Sequence, residues 1–347
     1  MTVSTNAAAS ADGAGHPEIH RDIMRLSRSK VLGAFAVSAA LFAAPRAAPQ
    51  RFEFRQIHMG VRVRLVLYAP SEAAAARAAG AAFARIAELD SLLSDYRSDS
   101  ELAALAARAG GAPLRVSEEL FYVLARAQRL ARLSDGAFDV TVGPLVRLWR
   151  RARRTGEPPS PESLRHAADR VGWRRVRLDS VARTVQLLAR GMRLDLGGIA
   201  KGYAGDEAIA TLRRHGIRRA LVELGGDIVA SGPPPGRPGW RIRVADAAPG
   251  RDTIPLADAA VSTSGDAAQF LEVDGERYSH VIDARTGMGL SDGVAATIVA
   301  PDGITADALS TLVSILGPDR GAVFLREHFP DVTAYIRRVD RPGATRP

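Results

Sequence analysis

The sequence predicts an α+β protein of two intimately packed subdomains, and three observations carry that prediction. Strand-like and helix-like stretches are grouped along the 347 residues instead of alternating strictly. That length exceeds one average domain, and 46% apolar residues supply a large core, which excludes a globally disordered chain. No GxGxxG, Walker, HExxH or GxSxG element occurs, so the common dinucleotide, NTPase, zincin and hydrolase architectures lack their parts.

The elements follow in order. Residues 1–48 read as a leader: a small, polar stretch to about residue 22, then Arg25, Arg28 and Lys30, then the apolar run 31–44. A basic start, a short apolar stretch and small residues at its end fit a secretory signal peptide, and the run is short for a membrane span. An uncleaved anchor or a surface amphipathic segment is the alternative. The body, residues 50–340, is therefore expected in the periplasm or another extracytoplasmic space, with membrane association only through that segment.

In the body, Phe52, Phe54, Val61, Val63, Leu65 and Leu67 alternate with polar residues and predict a strand pair. The Ala-rich stretch 71–93 predicts a helix. Ser117 and Gly136 bracket a second, and Ser160-Pro161 opens a third. Short β-like runs occupy Val176–Leu178, Val185–Leu188 and Arg193–Asp195. A helix over 199–214 and strands at Ala220–Leu224 and Ile228–Ala230 follow. The proline-rich stretch 231–239 is a loop, strands dominate 240–300, helices cover about 306–316 and 318–328, and a strand ends the pattern at 332–337.

Composition narrows the chemistry. The chain has no cysteine, which removes thiolate metal sites, disulfides and thiol nucleophiles. Its seven histidines are scattered, with the one close pair, His16 and His20, in the leader, which argues against transition-metal chemistry. The net charge of +9 suggests a polyanion partner, yet only Lys30 and Lys201 are lysines while 45 residues are arginine. An arginine excess spread over the surface, without an aromatic-interleaved basic stripe, does not support nucleic-acid binding.

Four segments are denser in Gly, Asp, Ser and Thr than packing needs: 137–144, 195–203, 262–266 with 278–287, and 305–311. Asp307 and Thr311 share one helix face with Ser310 beside them, a hard-oxygen set suited to Mg²⁺ or Ca²⁺. On spacing alone, an Asp favoured by the helix dipole is the plainer reading. Gly197 and Gly198 mark a strand-to-helix turn able to hold an anion, with Lys201 one turn in. His280 is placed on a short strand, where such a residue is more often structural than catalytic, although beside an oxygen-ligated metal it can serve as a base. Asp139 either accepts from a heterocycle or caps the turn before Gly143-Pro144.

Together and in this order, His58–Gly60, Ser94–Tyr96, Ser100-Glu101, Phe138–Leu145, Asp195–Tyr203, Leu224–Asp227, Ser262–Gly265, His280–Gly287 and Thr305–Thr311 resemble the ApbE family of FAD:protein FMN transferases. The resemblance spans residues 55–337. It implies an ApbE-like mixed sheet core with packed helices, FAD as substrate, and Mg²⁺ on the pyrophosphate. It further implies transfer of FMN to a threonine hydroxyl of a partner flavoprotein as a phosphoester, with release of AMP. Carried over by motif, Met59, Tyr96, Ala137, Phe138, Asp139, Asp195, Lys201 and Val281 would contact FAD. Gly198, Asp307, Ser310 and Thr311 would hold the metal, and His280 would act as base alongside Lys201 as a catalytic group. Three departures stand out: Glu223, expected to add negative charge near the cleft, Ala267–Gln269, and Ala284 in place of a proline. The competing readings are an FAD pyrophosphatase using water and a non-catalytic FAD-binding envelope protein.

Overall fold

The computed structural model describes residues 48–244, 253–265, 270–273, 275–291 and 293–338. The leader with its apolar run, Asp266 and Ala267–Gln269 lie outside the described residues. The described residues all belong to one compact unit.

The unit opens with the hairpin β1 (Gln50–His58) and β2 (Val61–Ala69), closed across Met59-Gly60. Both turn residues have positive φ, the mirror-image turn that matches strand twist. Helix α1 (Glu72–Leu93) is capped by Ser71 and buries the stripe Ala75, Ala78, Ala82, Ile86, Leu89 and Leu93. Next come α2 (Glu101–Ala107), capped by Ser100, the short strand β3 (Leu114–Arg115), and α3 (Glu118–Leu133), capped by Ser117. Helix α4 (Gly143–Thr155) carries Pro144 in its first turn and ends at Gly156 in the left-handed region. Helix α5 (Pro161–Ala168) and strands β4 (Val176–Asp179) and β5 (Thr184–Leu187) lead to α6 (Ala200–Arg214).

Strands β6 (Ala220–Leu224), β7 (Asp227–Ser231), β8 (Trp240–Arg243), β9 (Thr253–Leu256), β10 (Ala259–Ser264), β11 (Phe270–Val273), β12 (Glu276–Ser279) and β13 (Val294–Ala300) follow. The chain then forms α7 (Gly303–His328) and β14 (Thr333–Arg338). Gly317, at φ 79° and ψ 173°, breaks α7 just before Pro318, so it is the pair of helices the sequence predicts. Its length and composition would suit a membrane span, yet its first half is core: Ile304, Leu309, Leu312 and Val313 are buried.

The main sheet runs β1-β2-β6-β7-β10-β13-β14. Where a mixed sheet is expected, all its ladders are antiparallel, because the helical excursions between β2 and β6 and between β13 and β14 return to the end they left. Pleat alternation sends Val63, Leu65 and Leu67 toward the core under α1, α6 and α7, and Val66 to the other face. There the β8–β9 hairpin covers the sheet with Trp240, Ile242 and Leu256. A separate small core joins Leu145 and Trp149 of α4 to Ala167 of α5, Leu271 of β11 and Ile282. Within one compact unit the hydrophobic core thus comprises a main cluster, the cluster under the β8–β9 hairpin and this satellite cluster.

Two elements differ from the sequence reading. Arg193–Asp195 is not a strand: Arg193 makes one parallel bridge to Val142, and the Asp195 side chain turns to the backbone N–H of Gly197. Helix α4 is absent from the sequence reading, which places only a turn before Gly143-Pro144; the proline opens the helix, since it suits a position whose N–H has no helical partner.

The start of α7 is anchored by Asp206 of α6, whose carboxylate accepts the N–H groups of Gly303 (2.6 Å) and Ile304 (2.9 Å). Burial pushes this carboxyl up to about 6, against those two hydrogen bonds. A raised acid binds more protons in the folded than in the unfolded state between about pH 4 and 6. Its contribution therefore falls as pH rises through that window, by about 3 kcal/mol, and is constant above it. Urea titrations from pH 4 to 8 should show that slope in the wild type and a flatter one in Asp206→Asn. Equal slopes would refute the assignment.

Candidate active site

The site begins where β7, α6 and α7 meet. The register pairs Leu224 with Asp227 across the Gly225-Gly226 turn, so Asp227 points to the same face as Leu224, under the helices. Helix α6 brings Lys201 to it, and the first turns of α7 bring Asp307. Lys201 Nζ lies 2.8 Å from Asp227 Oδ2, 3.5 Å from Asp307 Oδ1 and 3.2 Å from the Gly197 carbonyl oxygen. Ser262 of β10 donates to Asp227 Oδ1 (2.5 Å) and stands 3.0 Å from the Ser310 hydroxyl, which donates to the Asp307 carbonyl (2.9 Å). The backbone N–H of Gly202 donates to Asp307 Oδ2 at 3.0 Å.

The electrostatics follow from that packing. Burial and the neighbouring Asp227 push the Asp307 carboxyl up to about 7, with Lys201 opposing. Burial works against the Lys201 ammonium, but Asp307 and Asp227 outweigh it and hold it above the ordinary lysine value. Two carboxylates thus share one ammonium. Asp227 Oδ2 is buried and lies off the hydrogen-bond line of Lys201, so its contact is an ion pair without a donated hydrogen bond.

These residues fit a hard cation. The available donors are the Asp307 carboxylate, the Ser310 and Thr311 hydroxyls and the Gly198 carbonyl, all oxygens, and Asp227 Oδ2 is one more buried oxygen without a hydrogen bond. A Cβ on Gly198 would fall 2.9 Å from Thr311 Oγ1, so the glycine backbone lies directly against that hydroxyl side chain. No group of three His, Cys, Asp or Glu forms a cluster among the described residues, in keeping with a site built from hydroxyls and a carbonyl.

A second constellation flanks the first. Asp195 Oδ1 accepts the Gly197 N–H (2.8 Å), fixing the turn into α6, whose N-cap residue Ile199 makes no side-chain cap. Asp195 Oδ2 pairs with Arg150 of α4 at 2.7 Å. Arg150 also pairs with Asp95, and its guanidinium carbon lies 4.0 Å from the ring centroid of Tyr96, which is 77% exposed.

The remaining predicted residues fall as follows. Met59 occupies the β1–β2 turn, and its N–H donates to Asp90. Ala137 and Phe138 are buried in the main core, so they present backbone and not side chain. Both Asp139 oxygens are engaged, by Thr141 N–H and hydroxyl and by Trp173 N–H, which is the turn-capping alternative. His280 is half-buried in a bend after β12 instead of on the strand, with Val281 buried beside it. Their segment is held to α4 by Trp149, whose indole N–H donates to the Gly287 carbonyl (2.8 Å) and whose ring lies 5.1 Å from that of Tyr278.

Two departures also resolve. Glu223 pairs across strands with Arg64 (2.6 Å) on the face opposite Asp227, so it adds no net charge near the site. The Asp283–Gly287 turn holds without a proline, because Asp283 accepts the Arg285 N–H and pairs with its guanidinium while its carbonyl accepts the Gly287 N–H. Sequence reading missed Asp227 and Ser262 as partners of Lys201 and Ser310, and Arg150 altogether. The Leu-Gly-Gly-Asp and Ser262–Gly265 motifs signalled Asp227 and Ser262, while nothing in the sequence signalled Arg150.

Comparison with known proteins matches this arrangement. The ApbE family model covers residues 59–336. A Treponema pallidum protein named FAD:protein FMN transferase is 36% identical over 308 residues, spanning 83% of this chain and 85% of its own. One from Klebsiella pneumoniae with the same name is 31% identical, spanning 80% and 86%. The crystal structure of apo Pseudomonas stutzeri flavinyl transferase ApbE superposes with a TM-score of 0.74 at 30% identity, covering 85% of this chain and 93% of that one. With the family model running from the β1–β2 turn to β14, the chain belongs to the ApbE family.

Proposed function

We propose that the chain is an FAD:protein FMN transferase that uses Mg²⁺, moves the FMN half of FAD onto a threonine hydroxyl of a partner flavoprotein and releases AMP. The observation that carries this reading is the convergence of Lys201, Asp227 and Asp307 at a glycine turn, in a chain whose relatives bear that name over most of their length. A lysine in the first turn of α6, beside the Gly197-Gly198 turn, suits a pyrophosphate. Gly198, Asp307, Ser310 and Thr311 would hold Mg²⁺, which when bound withdraws charge from the phosphate oxygens.

In the reaction the acceptor hydroxyl oxygen bonds to the FMN phosphorus, the bond from that phosphorus to the AMP oxygen breaks, and AMP departs with the bonding electrons. His280 takes the hydroxyl proton, and Lys201 neutralises charge on the phosphoryl oxygens. Tyr96, Asp195, Met59, Val281 and the 137–139 backbone bind the rest of the dinucleotide. The leader takes the enzyme out of the cytoplasm, to the extracytoplasmic space in which its acceptor flavoprotein resides.

The test combines the protein with FAD, Mg²⁺ and a threonine-bearing acceptor. AMP should appear in step with an acceptor mass increased by covalent FMN, and mass spectrometry of co-expressed exported proteins should find the same adduct. Free FMN with unlabelled acceptor would replace transfer by hydrolysis. Tight FAD binding without AMP release would leave only a binding protein.

A further inference from the structure

Among the described residues, Arg150 is the only one of the five arginines on α4 drawn into side-chain ion pairs, and it makes two. It reaches from a helix of the satellite core to both flanks of the proposed dinucleotide site. One nitrogen holds Asp95, next to Tyr96, and the other holds Asp195, whose second oxygen fixes the Gly197 N–H. The Gly197 carbonyl in turn accepts from Lys201. The guanidinium also lies over one face of the Tyr96 ring.

Resting on the FAD reading above, we infer that Arg150 is a positioning residue for the dinucleotide: it fixes the Tyr96 ring relative to the Gly197-Gly198 turn and neutralises two carboxylates beside an anionic ligand. The geometry favours this over an ordinary ion pair in two respects. Tyr96 has one face against the guanidinium yet remains largely open, as a stacking surface for a flavin or adenine ring must be. Asp95 and Asp195 are close enough that burial and Asp195 together raise the Asp95 carboxyl, so without Arg150 their repulsion would act on the turn itself. Neither residue reacts. Their placement governs how well FAD is held and leaves the chemical step to Lys201 and His280.

The test is the separation of KM from kcat for AMP release, with FAD affinity measured independently by flavin fluorescence. Arg150→Met should raise KM for FAD about tenfold while kcat stays within about threefold, the pattern of an interaction made equally in ground and transition states. Arg150→Lys should recover only part of the affinity, because one ammonium does not bridge both carboxylates with a planar fork. Asp95→Asn in the Arg150→Met background should also recover part of it, by removing a charge left without a partner. Arg150→Met with a lower melting temperature but unchanged KM and FAD affinity would reduce Arg150 to a structural tie and overturn the inference alone. Absence of FAD binding by the wild type would overturn the functional reading and this inference with it.

Discussion

Lys201→Met is expected to lower turnover by about two to three orders of magnitude, the usual cost of removing one preorganised charge from a phosphoryl-transfer site. The ammonium sits between two carboxylates, and its side chain is only 23% exposed. Its loss therefore also leaves Asp227 and Asp307 facing each other in a buried setting. Breaking such a pair typically costs about 3–5 kcal/mol. The stability deficit should depend on pH in a defined direction. Asp307 is already pushed up to about 7, and removing Lys201 raises it further. At pH 5 the variant keeps that carboxyl protonated and avoids the repulsion, whereas at pH 8 ionisation of both acids is resisted. Urea unfolding should accordingly show a larger deficit at pH 8 than at pH 5, and AMP release should report the kinetic loss. Wild-type turnover in the variant would overturn the site.

The second large effect is expected from Gly202→Ala. A Cβ there would lie 2.1 Å from the Gly303 carbonyl oxygen and 2.8 Å from Asp307 Cβ, and a Cβ on Gly303 would lie 2.4 Å from the Gly202 carbonyl oxygen. Helices α6 and α7 touch backbone to backbone, so no side-chain rotation relieves the clash. Overpacking of this kind costs about 1–3 kcal/mol or more, which outweighs the gain of about 1 kcal/mol from replacing a helical glycine. Separating the helices also pulls Asp307 from the Gly202 N–H and from Lys201, so activity should fall with stability. Gly80→Ala in α1 is the control: a Cβ there meets nothing within 4 Å, and the variant should gain about 0.5–1 kcal/mol. Differential scanning calorimetry of both variants decides the matter. Equal melting temperatures would show that the contact between α6 and α7 is slack.

What the sequence reveals depends on whether the signal is local. Alternation in 52–67 gives the first hairpin, and serine caps give α3 and α5, because each of these is written within a few residues. Helix α4 is hidden, since five arginines dilute the spacing of Leu145, Trp149 and Ala152 and since Gly-Pro signals a turn as readily as a helix start. The spacing of Asp307 and Thr311 places them on one face of α7 but does not by itself assign them to a metal, and the pairing of Lys201 with Asp227 and Asp307 is not legible at all. Those contacts join α6 to β7 and α7, and no spacing rule covers them. Glu223 is instructive in the other direction: it lies four residues from Asp227, yet antiparallel register places the two on opposite faces of the sheet.

The scarcity of lysine has a practical consequence. Beyond residue 30, Lys201 is the only lysine in the chain, so the ε-amine chemistry of the body reports on a single atom. A lysine-specific protease has one cut to make there, after a residue engaged by two acids and a carbonyl, and that cut should become available only when α6 leaves the sheet. Amine acylation of the folded body should be slow for the same reason, and ¹⁵N labelling of lysine should yield one ammonium resonance from it. The protein thus carries its own single-position reporter, placed at the centre of the candidate site and readable without introducing a foreign group.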